Sequence, residues 1–375
     1  MTAKTYTDLN PAPRTLLGPG PSMADPRVLR AMATPLIGHL DPQFIEIMDD
    51  VQALLRLVFQ TENELTIPVS GTGSAGMEAA LCNFIEAGDR VLVAVNGYFG
   101  ERLIDMAGRY GAVVDRVDKP WGQVFEPGEI TAALKQHKYK LLALVHAETS
   151  TGARQPEIAA IAKAAHDHGA LVVLDTVTSL GGLPVEIDAW DVDIAYSGTQ
   201  KALSCPPGLA PLTVGERGRE ALRARKTTVA NWYLDLTQVE RYWGSERTYH
   251  HTAPISMNYA LREALRLVAE EGLAARFARH QANAELLWEG LEALDLAPLV
   301  AREYRLPTLT TPQLAPSVDD AAVRSRLLRE YNIEIAGGFG PLKGQVWRIG
   351  LMGFSSRREN VLLLLAALGE ILGAA

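Results

Sequence analysis

Two segments of this chain could do chemistry together. L-V-V-L-D-T-V-T-S (171–179) opens as a short apolar run, the pattern of a buried strand, and reaches Asp175. D-I-A-Y-S-G-T-Q-K (193–201) is a second such run that passes through small polar residues to Lys201. An acid at one strand end and a lysine just past a neighbouring one is the arrangement a pyridoxal 5'-phosphate (PLP) site needs. The amine condenses with the cofactor's aldehyde and the carboxylate keeps the pyridine nitrogen protonated. The ring can then take up the electron pair left when a substrate α-carbon loses its proton. Lysine is ordinarily a surface residue. One in a small-residue turn that runs on into A-L-S-C-P-P-G can be desolvated, which lowers its pKa and favours the free, nucleophilic amine. A strand-end aspartate also serves as an exposed residue or a helix cap; its pairing with Lys201 is what favours the pyridinium role, with Val177 under the other face of the ring.

Other segments offer supporting groups, each with a plainer reading beside it. S-G-T-G-S-A-G-M-E-A-A (70–80) follows a strand and opens a helix, so Thr72, Gly73 and Ser74 could cradle a phosphate on free backbone N–H groups. The same turn serves as a tight connection, and it is neither a Walker loop nor a full dinucleotide fingerprint. In N-G-Y-F-G (96–100) an aromatic ring could stack on the pyridine, or Tyr98 and Phe99 could simply cap a helix and fill core. Hydroxyls in E-T-S-T-G (148–152) could bond the cofactor's ring hydroxyl or only shape a turn, and Gln200 could donate to the phosphate. Y-H-H-T (249–252) groups hydroxyls and imidazoles; adjacent histidines are expected to point apart and no cysteine or carboxylate cluster accompanies them, which disfavours a metal. Arg348 lies within the apolar strand W-R-I-G-L (347–351) and needs an anionic partner, either a protein acid or a substrate carboxylate.

The elements that position these groups follow from periodicity. After a proline- and glycine-rich opening that favours an extended arm, stable only if it lies on another surface such as a partner subunit, apolar strands alternate with amphipathic helices through about residue 200. Strands are expected at 66–70, 90–96, 112–117, 141–146, 171–174 and 193–196. Short continuous apolar strands separated by helices predict a largely parallel sheet buried on both faces, with ligands at the carboxyl ends of its strands. Two long helices, 258–271 and 273–294, then meet at E-E-G (270–272). Beyond them a strand (306–311), a helix (319–331), strands at I-E-I-A-G-G (333–338) and Q-V-W-R-I-G-L (345–351) and a last helix suit a smaller α+β unit.

The 375 residues are 47% hydrophobic and 21% charged, with a formal net charge of −8. This is globular composition without the basic face of a nucleic-acid binder. The locally basic stretch 216–226 reads as a solvated helix face or an anion contact. Two distant cysteines fit a reducing compartment, and neither a signal peptide nor an apolar run long enough for a bilayer is visible, so a cytoplasmic protein is expected.

These motifs, in order, resemble the class V aminotransferases of PLP fold type I, and within them the alanine–glyoxylate and serine–glyoxylate group. The likeness spans nearly the whole chain: L-L-G-P-G-P-S (16–22), S-G-T-G, E-A-A-L, A-V-N-G-Y-F-G, E-T-S-T-G, L-D-T-V-T-S-L-G-G, Y-S-G-T-Q-K-A-L, P-P-G, Y-H-H-T, E-I-A-G-G and R-I-G-L-M-G. The resemblance implies an α/β fold: an arm (1–20), a large PLP-binding domain (21–271) with a mostly parallel seven-stranded sheet flanked by helices, and a smaller C-terminal α+β domain (272–375). It implies that Lys201 carries the cofactor and moves the substrate proton. Asp175 would be the pyridinium partner, Val177 would lie beneath the ring, and Phe99 would occupy the ring-stacking position. Thr72, Gly73, Ser74 and Gln200 would hold the phosphate, joined by Tyr249 and Thr252 from a second subunit, so that a homodimer shares its sites. Thr149 would place a hydroxyl near the ring oxygen and substrate, and Arg348 would clamp the substrate carboxylate. Where this chain has Phe99 and Ser74, close relatives carry tryptophan and often histidine. The implied reaction moves an amino group from a small amino acid, L-alanine first and L-serine next, to glyoxylate. Another amino donor, such as a purine-breakdown intermediate, a cysteine desulfurase, and an inert cofactor-binding module are the alternatives.

Overall fold

The computed structural model describes residues 6–373. Its centre is a seven-stranded sheet built from β1 (Leu65–Ser70), β2 (Arg90–Val95), β3 (Val113–Asp118), β4 (Leu141–Val145), β5 (Leu171–Asp175), β6 (Ile194–Tyr196) and β7 (Leu209–Val214). The spatial order is β1-β7-β6-β5-β4-β2-β3, and every pairing is parallel except the two made by β7. Strand β4 is buried along its whole length, and β2 and β5 at all but their first residues, because helices cover both faces. Edge strand β3 (V-V-D-R-V-D) is only partly buried, and it is the one that alternates charge with valine.

Strand β7 is the element that periodicity does not announce. A proline inside L-A-P-L-T-V argues against an interior strand, yet the register sets Pro211 opposite Pro68 of β1 and next to Ser197, whose N–H donates to the Pro211 carbonyl at 2.7 Å. Its direction follows from the connection before it. The chain leaves β6 and returns through the turn at Pro206–Gly208 without a helix, so it can only come back antiparallel. That helix-free return carries Lys201 and leaves it at the carboxyl edge of the sheet, beside the ends of β1 and β5.

Helix starts are written locally. Asp25, Asp41, Asp235 and Asp319 each accept a backbone N–H from the first turn they precede, and Pro26 and Pro42 follow two of them. The long helices Ile255–Glu271 and Leu273–Glu292 break at Gly272. One apolar core gathers residues between Val28 and Val268; a second gathers residues between Leu287 and Leu368 together with Leu17.

The segment I-E-I-A-G-G is two strands rather than one. Ile333–Glu334 pairs in parallel with Thr15–Leu16 of the arm, and Ala336–Gly337 pairs with Trp347–Gly350, which also pairs with Leu309–Thr310. The surface that the arm needs is supplied here, at Thr15–Leu16, by its own chain's C-terminal unit. No helix among the described residues is long and apolar enough to cross a membrane.

The arm passes so close to the Arg348 strand that a Cβ on Gly350 would stand 2.1 Å from the Gly18 carbonyl oxygen, a backbone atom that cannot swing away. Gly350→Ala should lower stability by about 1–3 kcal/mol, seen as a lower thermal midpoint. Gly128→Ala, whose Cβ would meet nothing within 4 Å, should leave the midpoint unchanged or slightly raised.

Candidate active site

Asp175 ends β5 and is 2% exposed; Tyr196, its register partner on β6, donates its hydroxyl to one carboxylate oxygen at 2.7 Å, and the Val177 N–H donates to the other at 2.8 Å. Burial pushes the Asp175 carboxyl up to about 6, against the pull of those two donors and of the Lys201 charge. Lys201 is buried as well, and burial, with the charge of Arg348 second, lowers its amine to about 8. Besides burial, the charges of Arg348 and Arg102 lower the Lys201 amine and that of Asp175 raises it.

The candidate phosphate cradle is assembled from three turns. Helix Gly73–Cys82 begins at Thr72, which has extended dihedrals and no side-chain cap; the Ala75 N–H donates to the Thr72 carbonyl at 2.7 Å, and the Gly73 and Ser74 N–H groups lie ahead of that first intrahelical bond. A Cβ on Gly73 would lie 3.5 Å from both Gly198 Cα and Val177 Cγ2, so the start of this helix, the residues after Asp175 and the turn before Lys201 meet. Gln200 stands at the same place: its amide oxygen, 2.9 Å from where a Gly198 Cβ would be, is buried without a hydrogen-bond partner. Uncapped donors and an orphaned amide side by side fit a phosphate group, since the amide can present its NH2 instead of its oxygen.

Of the remaining residues named from sequence, the Thr149 hydroxyl bonds that of Thr178. Phe99 is half-buried on the first turn of helix Tyr98–Arg109. Arg348, 5% exposed, donates Nε to the Gly337 carbonyl at 2.8 Å and forms no ion pair among the described residues, so its two terminal nitrogens are available to a carboxylate. Burial lowers its pKa to about 10, which leaves it charged at neutral pH. Tyr249 and Thr252 are exposed, and between them in sequence His251 is hydrogen-bonded to Ser70, the last residue of β1, at 2.7 Å. The expectation that His250 and His251 point apart is corrected: their Nδ1 atoms are 2.8 Å apart. No group of three metal-ligating side chains occurs among the described residues.

Four contributors are not named by sequence reasoning. Arg102 donates to Ser74 Oγ at 3.2 Å with its guanidinium 4.8 Å from the centre of the Phe99 ring. Fully buried Glu148 accepts from the Phe99 N–H at 3.2 Å and from Ser150, whose own hydroxyl accepts the Tyr98 N–H at 2.9 Å; burial raises Glu148 to about 7. Together they hold the helix start that carries Phe99, and Gly97 is required there because a Cβ would fall 2.3 Å from Glu148 Cγ. Phe339 lies against Arg348. The arm is the fourth: Lys201 Nζ donates to the Pro19 carbonyl, Ser22 holds the Gln200 and Lys201 carbonyls at 2.9 and 2.7 Å, and Gly20, at φ +119, leaves room for the lysine side chain. The density of glycine and proline at 18–21 was the available signal.

The family profile "Aminotransferase class-V" matches residues 16–352. The chain belongs to the class V aminotransferases. It is 43% identical to the (S)-ureidoglycine–glyoxylate transaminase of Bacillus subtilis, over 96% of this chain and 90% of that one. It is 42% identical to the alanine–glyoxylate aminotransferase of Drosophila melanogaster, over 95% and 92%. The crystal structure of an alanine–glyoxylate aminotransferase from Nostoc sp. superposes with a TM-score of 0.97 at 57% identity, covering 98% of each chain. This is therefore a PLP-dependent aminotransferase of fold type I.

Because the free amine is the nucleophile, uptake of PLP by the apoenzyme should slow about tenfold per pH unit below about 8, the value to which Lys201 is lowered, and level off above it. Stopped-flow absorbance combined with borohydride trapping of the lysine adduct measures this; a flat profile between pH 6 and 9 would contradict the assigned environment of Lys201.

Proposed function

We propose that this aminotransferase moves the amino group of a small monocarboxylic amino acid, L-alanine first and L-serine next, to glyoxylate, giving glycine and a 2-oxo acid. The observation that carries this reading is Arg348, a buried guanidinium beside Lys201 with no protein carboxylate on it. No comparable free cation is assigned to a second, side-chain carboxylate, since Arg102 is engaged at Ser74 and Phe99. The names of the relatives supply the acceptor: glyoxylate recurs in the proteins from Nostoc, Drosophila and Bacillus.

PLP, when bound, supplies the electron sink and the carbonyl that carries nitrogen between the two substrates. The protein does the rest. The uncapped start of helix Gly73–Cys82, with Thr72, Gly73, Ser74 and Gln200, holds the phosphate. Asp175, fixed by Tyr196 and the Val177 N–H, would hold the pyridinium nitrogen, Val177 and Phe99 would pack on the ring, and Thr149 would offer its hydroxyl to the ring oxygen. Arg348 takes the substrate carboxylate and so fixes which bond at the α-carbon lies across the ring plane. Lys201 Nζ, set free when the amino acid takes its place, accepts the α-proton and returns it one atom further along; the second oxo acid runs the same path backwards. Exposed Tyr249 and Thr252 are assigned to a neighbouring site: in a homodimer the partner subunit's Tyr249 and the partner subunit's Thr252 would complete each phosphate cradle. The two buried free thiols suit a reducing compartment, and we place the protein in the cytoplasm.

A second donor is favoured by one observation, the 43% identity to a transaminase named for (S)-ureidoglycine. A cysteine desulfurase reading meets the opposite situation. Burial raises the Cys82 thiol to about 12 and raises Cys205 further, so neither is the mobile thiolate such chemistry needs.

Half-reaction spectra of the purified enzyme against alanine, serine, ureidoglycine and aspartate rank the donors; bleaching of the bound-cofactor band fastest with aspartate would defeat the monocarboxylate reading. Lys201→Ala should abolish the borohydride-reducible lysine adduct. Arg348→Ala should raise KM for alanine by about 10- to 100-fold, the scale of a lost charge-assisted pair, with the cofactor still bound.

A further inference from the structure

Resting on the reading of Arg348 as carboxylate clamp, we propose that Phe339 is the positioning residue that holds its guanidinium, and that this contact sets the affinity for the substrate carboxylate. Arg348 Cζ lies 3.8 Å from the centre of the Phe339 ring, at stacking distance for a cation on an aromatic face. Among the described residues, the other group that fixes the guanidinium is the Gly337 carbonyl on Nε, a single hydrogen bond, which restrains one edge and leaves the plane free to swing. A bidentate carboxylate needs that plane defined, because both terminal N–H groups must point at one pair of oxygens. The ring supplies the missing restraint without taking up a donor, which a glutamate in the same place would do.

Phe339 is itself held in turn. Its ring centre is 5.0 Å from that of Tyr98, which lies 5.7 Å from Phe99, and the Arg102 guanidinium stands over both Tyr98 and Phe99. One stack thus runs from the substrate clamp to the arginine that touches Ser74 at the phosphate cradle. Phe339 sits in G-G-F-G-P-L-K-G (337–344), where Gly340 and Gly344 have positive φ, and both Phe339 and Tyr98 are more than a third exposed. The ring can therefore be removed without opening the core.

The test compares Phe339→Ala, Phe339→Leu and Phe339→Tyr with the parent and with Arg348→Ala. In Phe339→Ala and Phe339→Leu, KM for L-alanine should rise about three- to thirtyfold, the range of a partly desolvated cation–π contact, while kcat and PLP affinity stay within about twofold. Phe339→Tyr, which keeps the ring face, should restore KM. Calorimetric titration with propionate, a carboxylate that cannot react, should show the same loss of affinity in the apoproteins. An unchanged KM in Phe339→Ala while Arg348→Ala is impaired overturns the role of Phe339 alone. An unchanged KM in Arg348→Ala overturns the clamp reading beneath it. A fall in PLP affinity or thermal midpoint that parallels the KM change would show a merely structural ring and also overturns the proposal.

Discussion

Everything at this site depends on keeping one ammonium group away from water. Lys201 lies on a helix-free return between two strands, buried at the edge of the sheet beneath the arm. The lowered amine pKa of about 8 results mainly from that burial. Asp175 is moved the opposite way, to about 6, by the same lack of solvent. In the apoprotein both shifts are unfavourable near neutrality. A folded Lys201 binds its proton more weakly than an unfolded one, so its contribution falls as pH drops from about 10.5 to 8. A folded Asp175 binds its proton more tightly, so its contribution falls as pH rises from about 4 to 6. At pH 7 each group costs stability. On the proposed roles of the two residues, a cationic ring nitrogen at Asp175 and an aldehyde that captures the Lys201 amine would relieve the two costs together.

The arm joins the two halves of the site. Leu17 lies in the second apolar core and accepts the Gly350 N–H at 2.7 Å, two residues past Arg348; a few residues on, Pro19 and Ser22 hold Lys201 and its neighbours. Lys201 and the strand that carries Arg348, the proposed proton-moving amine and carboxylate clamp, are thereby bound to one short segment of chain. Buried Arg276 adds a second link from the C-terminal side, donating to the Gly181 carbonyl at 2.7 Å and to the Ala202 carbonyl at 2.5 Å. Relative movement of the two cores must carry Lys201 or distort it.

The parallel strands were legible because each is a short apolar run bounded by turn residues, and Asp175 and Lys201 were legible because unlike charges at the ends of such runs have few other uses. What stayed hidden has physical reasons. Strand β7 contains Pro211, which accepts the Ser197 N–H through its carbonyl but has no N–H to give back, so composition argues against the strand that the register makes. The division of I-E-I-A-G-G between two sheets depends on the arm, whose pairing with Ile333 spans most of the chain and leaves no periodic trace. Arg102 looks like an ordinary surface position in an amphipathic helix; only the turn geometry at Gly97 aims it at Ser74. Glu148 reads as a turn residue, and nothing in E-T-S-T-G shows that its carboxylate accepts the Phe99 N–H in the first turn of a helix some fifty residues upstream.

Glu148 also shows how tightly charge is rationed here. It is fully buried and raised to about 7, and its nearest donors are backbone and hydroxyl groups rather than arginines. Arg348 feels its field without reaching it. Had this carboxylate paired with Arg348, the clamp would be neutralised by its own protein. The helix start at Tyr98 and Phe99 instead occupies Glu148, and the Phe339 ring occupies the face of Arg348. Two oppositely charged buried groups are kept apart by giving each a neutral partner. The terminal nitrogens of Arg348 are then the unmatched donors that an incoming carboxylate meets.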